Sequence, residues 1–290
     1  ACMINEDEVA QGLSMARFGW LDFVNDQSVS YRLIQQAIQW AHQEGMDQIK
    51  GPLGLTNLDP AGLLTHGYAE LSTMTAQYQH PYYAAHLEEM GFEEDLHWLE
   101  YEFPVNPLPE KLKRMADLIA KRYDLRVVKF AHKSEMEPYF PLMKELLKAS
   151  YAQVKAYVKL REEDMDFYLE KFKPILTPSY CALVVDGEGK LVGFGIAAPS
   201  LSRAIQKGQG RLLPTGWYHL LRAFKQNDRA ELLLIGVKPE MQNRGVTALI
   251  MTHIWQSFLD KGIKWVESNQ ELASNTQIHN LWKSYEKRLH

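Results

Sequence analysis

Residues 231–262 read ELLLIGVKPEMQNRGVTALIMTHIWQSFLDKG. An apolar strand over 232–237 leads into a polar loop holding Gln242-Asn243-Arg244-Gly245, then an amphipathic helix that stops at Gly262. A strand that opens through a glycine-containing loop into a helix N-terminus is a ready anion site. The first-turn amides lack intrahelical acceptors, and the helix dipole favours negative charge there. Arg244 adds a forked, permanently charged donor set, and Gly245 lets a ligand approach the backbone closely. The same glycine also serves turn geometry alone, so both readings stand at this point.

A length of 290 residues favours two domains of about 100–200 residues each. A hydrophobic fraction of 46% suffices for real cores, and a net charge of −4 gives no basic excess to hold nucleic acid. Cys2 and Cys181 form neither a disulfide framework nor a metal pattern; Cys181 lies in an apolar run and reads as a small buried hydrophobe. No apolar stretch reaches the roughly 18 residues of a membrane span. No signal peptide is visible, so a cytoplasmic location and no membrane partner are expected.

The same unit occurs twice. Strand 18–24, helix 28–44, Gly45 and short strand 48–53 form the first copy; strand 232–237, helix 245–261, Gly262 and strand 263–266 form the second. Both helices carry an apolar stripe at spacings of three and four, Val29, Leu33, Ala37, Trp40 and Ala41 in one, Val246, Leu249, Ile250, Ile254 and Phe258 in the other. The loop before the first helix, Asn25-Asp26-Gln27-Ser28, has an acid and no glycine, which suits a helix cap. Anion binding is therefore assigned to the second copy alone.

Between the copies, an acidic stretch (88–102) meets three prolines within 104–109 and then a basic helix over 110–123. The expected organisation is a first domain over 1–104, a linker helix within 105–124, and a second domain over 125–290. The second domain reads strand 125–131, helices 137–152 and 162–173, strand 180–186, a turn at Gly187-Glu188-Gly189, and strand 190–198. An insertion over 199–229, with a helix near 217–225, precedes the opening strand of the second copy.

Gln242-Asn243-Arg244-Gly245-Val246-Thr247 resembles the pyrophosphate-binding loop of the GNAT N-acetyltransferase superfamily, Gln/Arg-x-x-Gly-x-Gly/Ala. It departs at Thr247, which has a side chain where that family has glycine or alanine. Residues 235–240 resemble the end of the family's fourth strand, and Asn275 its frequent asparagine at the start of the last helix. Tyr78-x-x-Pro81-Tyr82-Tyr83 and Arg211–Trp217 are similar to a tandem, two-domain bacterial subset. The resemblance implies an α/β protein of two GNAT-like acyl-CoA N-acyltransferase domains, mixed central sheets flanked by helices. Only one strand near 1–5 precedes the first copy, so the first domain is expected to be incomplete.

By the same resemblance, acetyl-CoA or another acyl-CoA is the donor, with no metal. Ile235, Gly236, Val237, Gln242, Asn243, Arg244, Gly245, Val246, Thr247 and Asn275 are its expected contacts. The family's frequent tyrosine acid on the last helix falls at Trp282 by spacing from Asn275. Tyr285, three residues on, is the available replacement. Glu267 and Glu231 are candidate bases, since a carboxyl with a raised pKa can deprotonate an ammonium; each is equally a solvent-facing strand residue. The expected activity is acyl transfer to a small-molecule or peptide amine by direct attack. A non-catalytic ligand-binding or scaffold protein of the same fold is the alternative, and an aminoacyl- or acyl-carrier-dependent transferase is the third. No residue pattern names the acceptor or the oligomeric state.

Overall fold

A computed structural model describes residues 1–152 and 158–290. The N-terminal part has β1 (Cys2–Ile4), α1 (Glu6–Ala10), β2 (Met15–Phe18), α2 (Gln27–Gln43), β3 (Gln48–Lys50) and α3 (Tyr82–Glu89). The three strands form one small sheet in the order β1-β2-β3. Its core is Phe18, Ile34 and Leu87. The expected strand over 18–24 lies earlier, because Trp20 at φ +48° breaks the extended run. Phe23 instead folds back onto the Tyr83 ring, 4.2 Å between centroids, and the Tyr82 hydroxyl donates to the Phe23 carbonyl. The tyrosine and histidine cluster therefore anchors this loop on α3.

The remaining elements are β4 (Trp98–Leu99), β5 (Tyr101–Pro104), α4 (Glu110–Arg122), β6 (Arg126–Val128), α5 (Phe140–Tyr151), α6 (Glu162–Phe172), β7 (Cys181–Val185), β8 (Leu191–Pro199), α7 (Ser202–Lys207), α8 (Gly216–Lys225), β9 (Arg229–Val237), α9 (Val246–Asp260), β10 (Trp265–Glu267), β11 (Glu271–Leu272), α10 (Thr276–Leu281) and β12 (Arg288–Leu289). A seven-stranded sheet runs β12-β5-β10-β9-β8-β7-β6, parallel only between β9 and β10. The hairpin between β7 and β8 forms as expected, Asp186 accepting from the Glu188 and Lys190 amides.

Two boundary expectations need correction. The strand Tyr101–Pro104, assigned to the first domain, sits inside the second domain's sheet, between β10 and β12. It pairs antiparallel there with both neighbours. The expected linker helix is α4, which packs along α9; Ala116 is in the core, with Leu112 and Ile119 against it. Cross-strand pairing and apolar burial, which no local composition reports, bind 101–122 to the later half.

One face of the large sheet is covered by α9, which buries Val246, Leu249, Ile250, Ile254, Trp255 and Phe258. Each such side chain contributes about 1.5–3 kcal/mol on burial. The helix approaches closely because Gly195 of β8 has no side chain: a Cβ there would lie 2.4 Å from Ile250 Cγ2. The opposite face packs Phe140, Met143 and Leu146 of α5 over Leu183, Val185 and Phe194. Cys181 is buried on that side, as its apolar run implies. The expected helix over 137–152 begins late: a 3-10 turn over Lys133–Tyr139 holds Pro138, and α5 starts at Phe140.

Candidate functional site

The site forms where β9 and β10 part. Their parallel pairing covers Arg229↔Trp265, Ala230↔Val266 and Glu231↔Glu267, then ends. β9 runs on to Val237, leaving that edge with no strand partner among the described residues for six residues, roughly 20 Å at about 3.3 Å per residue. Opposite Ile196 and Ala197 of β8, the register of β9 skips Leu233, a bulge that bends the strand just past Glu231. Ile235, Gly236 and Val237 lie at the far end of this open edge. The Ile235 backbone is hydrogen-bonded to the Tyr151 hydroxyl; burial nonetheless pushes Tyr151 up to about 12.

Beyond Val237 the chain makes the expected loop. Gln242 Nε2 donates to the Val237 carbonyl, 3.3 Å, tying loop to strand. Asn243 at φ +60° and Gly245 at φ +81° turn the backbone into α9. Gly245 is the N-cap, with no side-chain cap bond, so the first-turn amides of Val246 and Thr247 meet no capping side chain. The Val246 side chain is core, so only its backbone is available to a ligand. The Arg244 guanidinium stands 5.6 Å from the centre of the Tyr123 ring at the end of α4. The loop is thus an uncapped, positively biased helix start next to a free strand edge, which fits the phosphate and extended arm of an acyl-CoA. The Asn275 side chain is committed to α10, accepting from the Ile278 amide at 3.4 Å.

At the near end of the edge, four charged residues stand in one cross-strand row: Glu231, Glu267, Glu102 and Arg288. Like charges directly opposite repel. Arg229 relieves this, donating to Glu102 at 2.5 Å and Glu267 at 2.7 Å, while Arg288 Nε donates to Glu102 at 2.6 Å. Burial disfavours an ionised Glu102, but hydrogen bonds from Arg288 and Arg229 outweigh it and hold its pKa below the usual range. Burial, with the neighbouring Glu102 charge, raises Glu267 although Arg229 bonds it. Glu102, Glu267 and His290 come close enough for a cation, yet the two guanidinium groups already hold the carboxylates.

Glu231 has no arginine partner among the described residues. It is 1% exposed and accepts from Ser200 Oγ at 2.6 Å, Ser202 Oγ at 3.5 Å and the Met74 amide at 3.0 Å. Burial pushes its pKa up to about 7, against those hydrogen bonds. Beside it lies a cavity of about 210 Å³ lined in part by Glu70, Ser200, Ser202, Arg229, Glu267 and His290. Glu70 and Met74 come from the N-terminal part, and Ser202 from the start of the insertion helix α7. Sequence reading named Glu231 but missed Ser200, Ser202, Arg229 and Met74; no motif marks them, since only the fold brings them to one carboxylate.

Glu267 and Tyr285, the two residues paired as catalytic candidates, are not brought together. Neighbours along a strand face opposite sides, so Val266 and Phe103 enter the α9 core while Glu267 and Glu102 face away. Tyr285 belongs to that α9 core, 4.9 Å from the Trp255 ring and 6.2 Å from Phe103. Burial pushes its hydroxyl up to about 12. Trp282 packs there too, its Nε1 donating to Glu271 at 2.8 Å.

The raised carboxyls set a pH dependence of stability. Burial lifts Glu100, Glu231 and Glu271 from an ordinary 4.5 to about 7. Between these values the folded chain holds protons the unfolded chain has released, so stability falls as pH rises from about 4.5 to about 7, then levels. For Glu231 alone the loss is about 3 kcal/mol. Urea unfolding of the wild type and Glu231→Gln at pH 5 and pH 8 checks it: the variant is expected to be the more stable at pH 8.

A sequence model of the Acetyltransferase (GNAT) family matches residues 141–285. Protein YghO of Escherichia coli strain K12 is 23% identical over 278 residues, 93% of this chain and 70% of that protein. A bacterial ceramide synthase of Caulobacter vibrioides strain NA1000 / CB15N is 23% identical over 243 residues, 80% of this chain and 60% of that protein. Among solved structures, a GCN5-related glucosamine N-acetyltransferase region of a fungal multi-domain GH3 β-N-acetylglucosaminidase superposes with a TM-score of 0.52 at 10% identity, over 95% of this chain and 29% of that one. The family match spans half of the chain, and with the parted strands and the uncapped helix loop it shows that this protein belongs to the Acetyltransferase (GNAT) family of acyltransferases.

Proposed function

We propose that the protein transfers an acyl group from an acyl-CoA to an amine, with Glu231 as the general base. The observation that carries this is the placement of a buried, arginine-free carboxyl at the point where β9 loses β10, with the uncapped start of α9 at the other end of the same open edge. Acyl-CoA supplies the activated thioester carbonyl. Arg244, the Gly245–Thr247 amides and the open edge at Ile235–Val237 hold the donor. Glu231, with a pKa near neutrality, takes the proton from the acceptor's ammonium so that the free amine can attack the thioester carbonyl. The C–N bond forms, the C–S bond breaks, and coenzyme A leaves as a thiolate that takes up the proton lost by the new amide nitrogen, through water. Backbone N–H groups on the open edge are the donors available to the oxygen that gains charge. Glu267 is a positioning residue here: with Glu102 it fixes Arg229 against the cavity. One relative is a ceramide synthase by name, and forming a ceramide is acylation of an amine.

The cavity limits the acceptor. At about 210 Å³ and polar, it takes an amine-bearing head or small molecule; drug-sized ligands occupy about 300–1,000 Å³. The test is thiol release from acetyl-CoA and longer acyl-CoAs with a panel of amino acids, amino alcohols, peptides and long-chain amines. Amine-dependent thiol release with an N-acyl product is expected. No release with any amine, from a folded protein that also fails to bind coenzyme A, sinks the reading in favour of a scaffold or a different donor.

A further inference from the structure

The insertion between β8 and β9 carries a surface that acyl transfer does not use. α8 presents Trp217, Leu221 and Phe224 at spacings of four and three, one stripe of a helix. That stripe faces outward: Trp217 is 47% exposed and Leu221 57%, with Leu213 just before the helix at 72%. The inward residues are small or half-buried, Gly216, His219 and Ala223, and they rest on α7. A soluble surface rarely leaves so many large apolar side chains together without a partner.

Charge identifies the partner. Residues 199–227 hold five lysines and arginines and no aspartate or glutamate, in a chain of net charge −4. Arg203 is paired with Asp228; Lys207, Arg211, Arg222 and Lys225 are exposed in the same insertion, Arg222 and Lys225 on α8 along one side of the stripe. A second copy of the chain docked symmetrically on this face would set the basic rim against itself. A nucleic acid would leave the tryptophan, leucine and phenylalanine uncovered. An apolar stripe of aromatic and leucine side chains rimmed by basic residues suits the headgroup layer of an anionic bilayer, apolar face in and cations at the phosphates. Among the described residues no helix is long and apolar enough to cross a membrane, so this contact is peripheral.

We propose that α8 and the loop before it dock this protein on the surface of an anionic lipid bilayer. This revises the expectation of no membrane partner, which rested on the lack of a span. The same insertion reaches the candidate site, since Ser202 at the start of α7 bonds Glu231 and α7 packs on α8. The segment that touches lipid therefore also lines the acceptor cavity. Docking itself does not depend on the acyl-transfer reading.

Vesicle flotation of the full chain tests it, using phosphatidylcholine with and without phosphatidylglycerol. The wild type is expected to float with the anionic vesicles and to be released by high salt. Trp217→Glu with Leu221→Glu, and separately Arg222→Glu with Lys225→Glu, should each lower the bound fraction at least about tenfold. Both pairs are exposed, so melting temperature and acetyl-CoA binding should stay as in the wild type and report an intact fold. A wild type that stays unbound, or variants that float equally well, would overturn the proposal. So would a lipid-free dimer that Trp217→Glu dissociates, which would make the face a contact between copies.

Discussion

Replacing Glu231 with glutamine is expected to lower kcat for amine acylation by about 10²–10⁴-fold while leaving acyl-CoA affinity within about twofold. Glutamine keeps the shape of the side chain: its carbonyl oxygen can accept from the Met74 amide while its NH2 donates to the Ser200 hydroxyl, which bonded the other carboxylate oxygen, so the fold persists. What is lost is the proton acceptor. The wild-type pH profile separates this from a structural effect. A base with a pKa of about 7 works as its carboxylate, so kcat/KM should rise through about pH 7 to a plateau. In Glu231→Gln that limb should vanish. Tyr285→Phe serves as the contrast: its ring lies in the apolar core on the other face of the sheet, so kcat should change by less than about twofold. A Glu231 variant with wild-type kcat and an unchanged profile, or a Tyr285 variant that loses the alkaline limb, reverses these assignments.

The second large effect is on donor binding. Arg244→Glu is expected to weaken acetyl-CoA binding by about 10–100-fold or more in calorimetric titration, and more at low salt than at high. The substitution replaces the proposed phosphate partner with a repelling charge at an uncapped helix start, whose dipole favours an anion. It also removes the cation from the Tyr123 ring. Gly245→Trp is expected to abolish binding outright. At φ +81° any side chain is strained, and a Cβ there would meet Ile119 Cδ1 at 2.3 Å. Because that change also disturbs α4, the Arg244 variant is the cleaner probe. Unchanged affinity in Arg244→Glu with an intact fold would place the donor's phosphates elsewhere.

The local features were legible in the sequence for physical reasons. An apolar run, a glycine with a polar loop, and a stripe at helical spacing each report their own neighbourhood. So the loop at Gln242–Gly245, the α9 core residues and the β7–β8 turn appear where they were expected, and the strand over 232–237 lies inside the longer β9. Pro138 and Trp20 shifted element ends through backbone effects that propensity underestimates. The insertion's basic charge and its i, i+4, i+7 stripe were also written in the sequence, but only the exposure of Trp217 and Leu221 distinguishes a docking face from a core face.

The site's chemistry was decided in three dimensions. Whether Glu231 or Glu267 is the free carboxyl depends on where Arg229 reaches, and Arg229 is two residues from one and far along the chain from the other. Glu231 is buried because Met74 crosses over it from the N-terminal part, 157 residues away in sequence. Strand parity put Tyr285 and Glu267 on opposite faces. The strand Tyr101–Pro104 entered the later sheet through backbone pairing with Trp265–Glu267, which side-chain pattern does not encode. The sequence alone determined the family loop and the elements that carry it, because those rest on contacts between near neighbours. Only the tertiary structure decided which carboxyl is desolvated with no counter-charge among the described residues, because a pKa is set by every group that surrounds it.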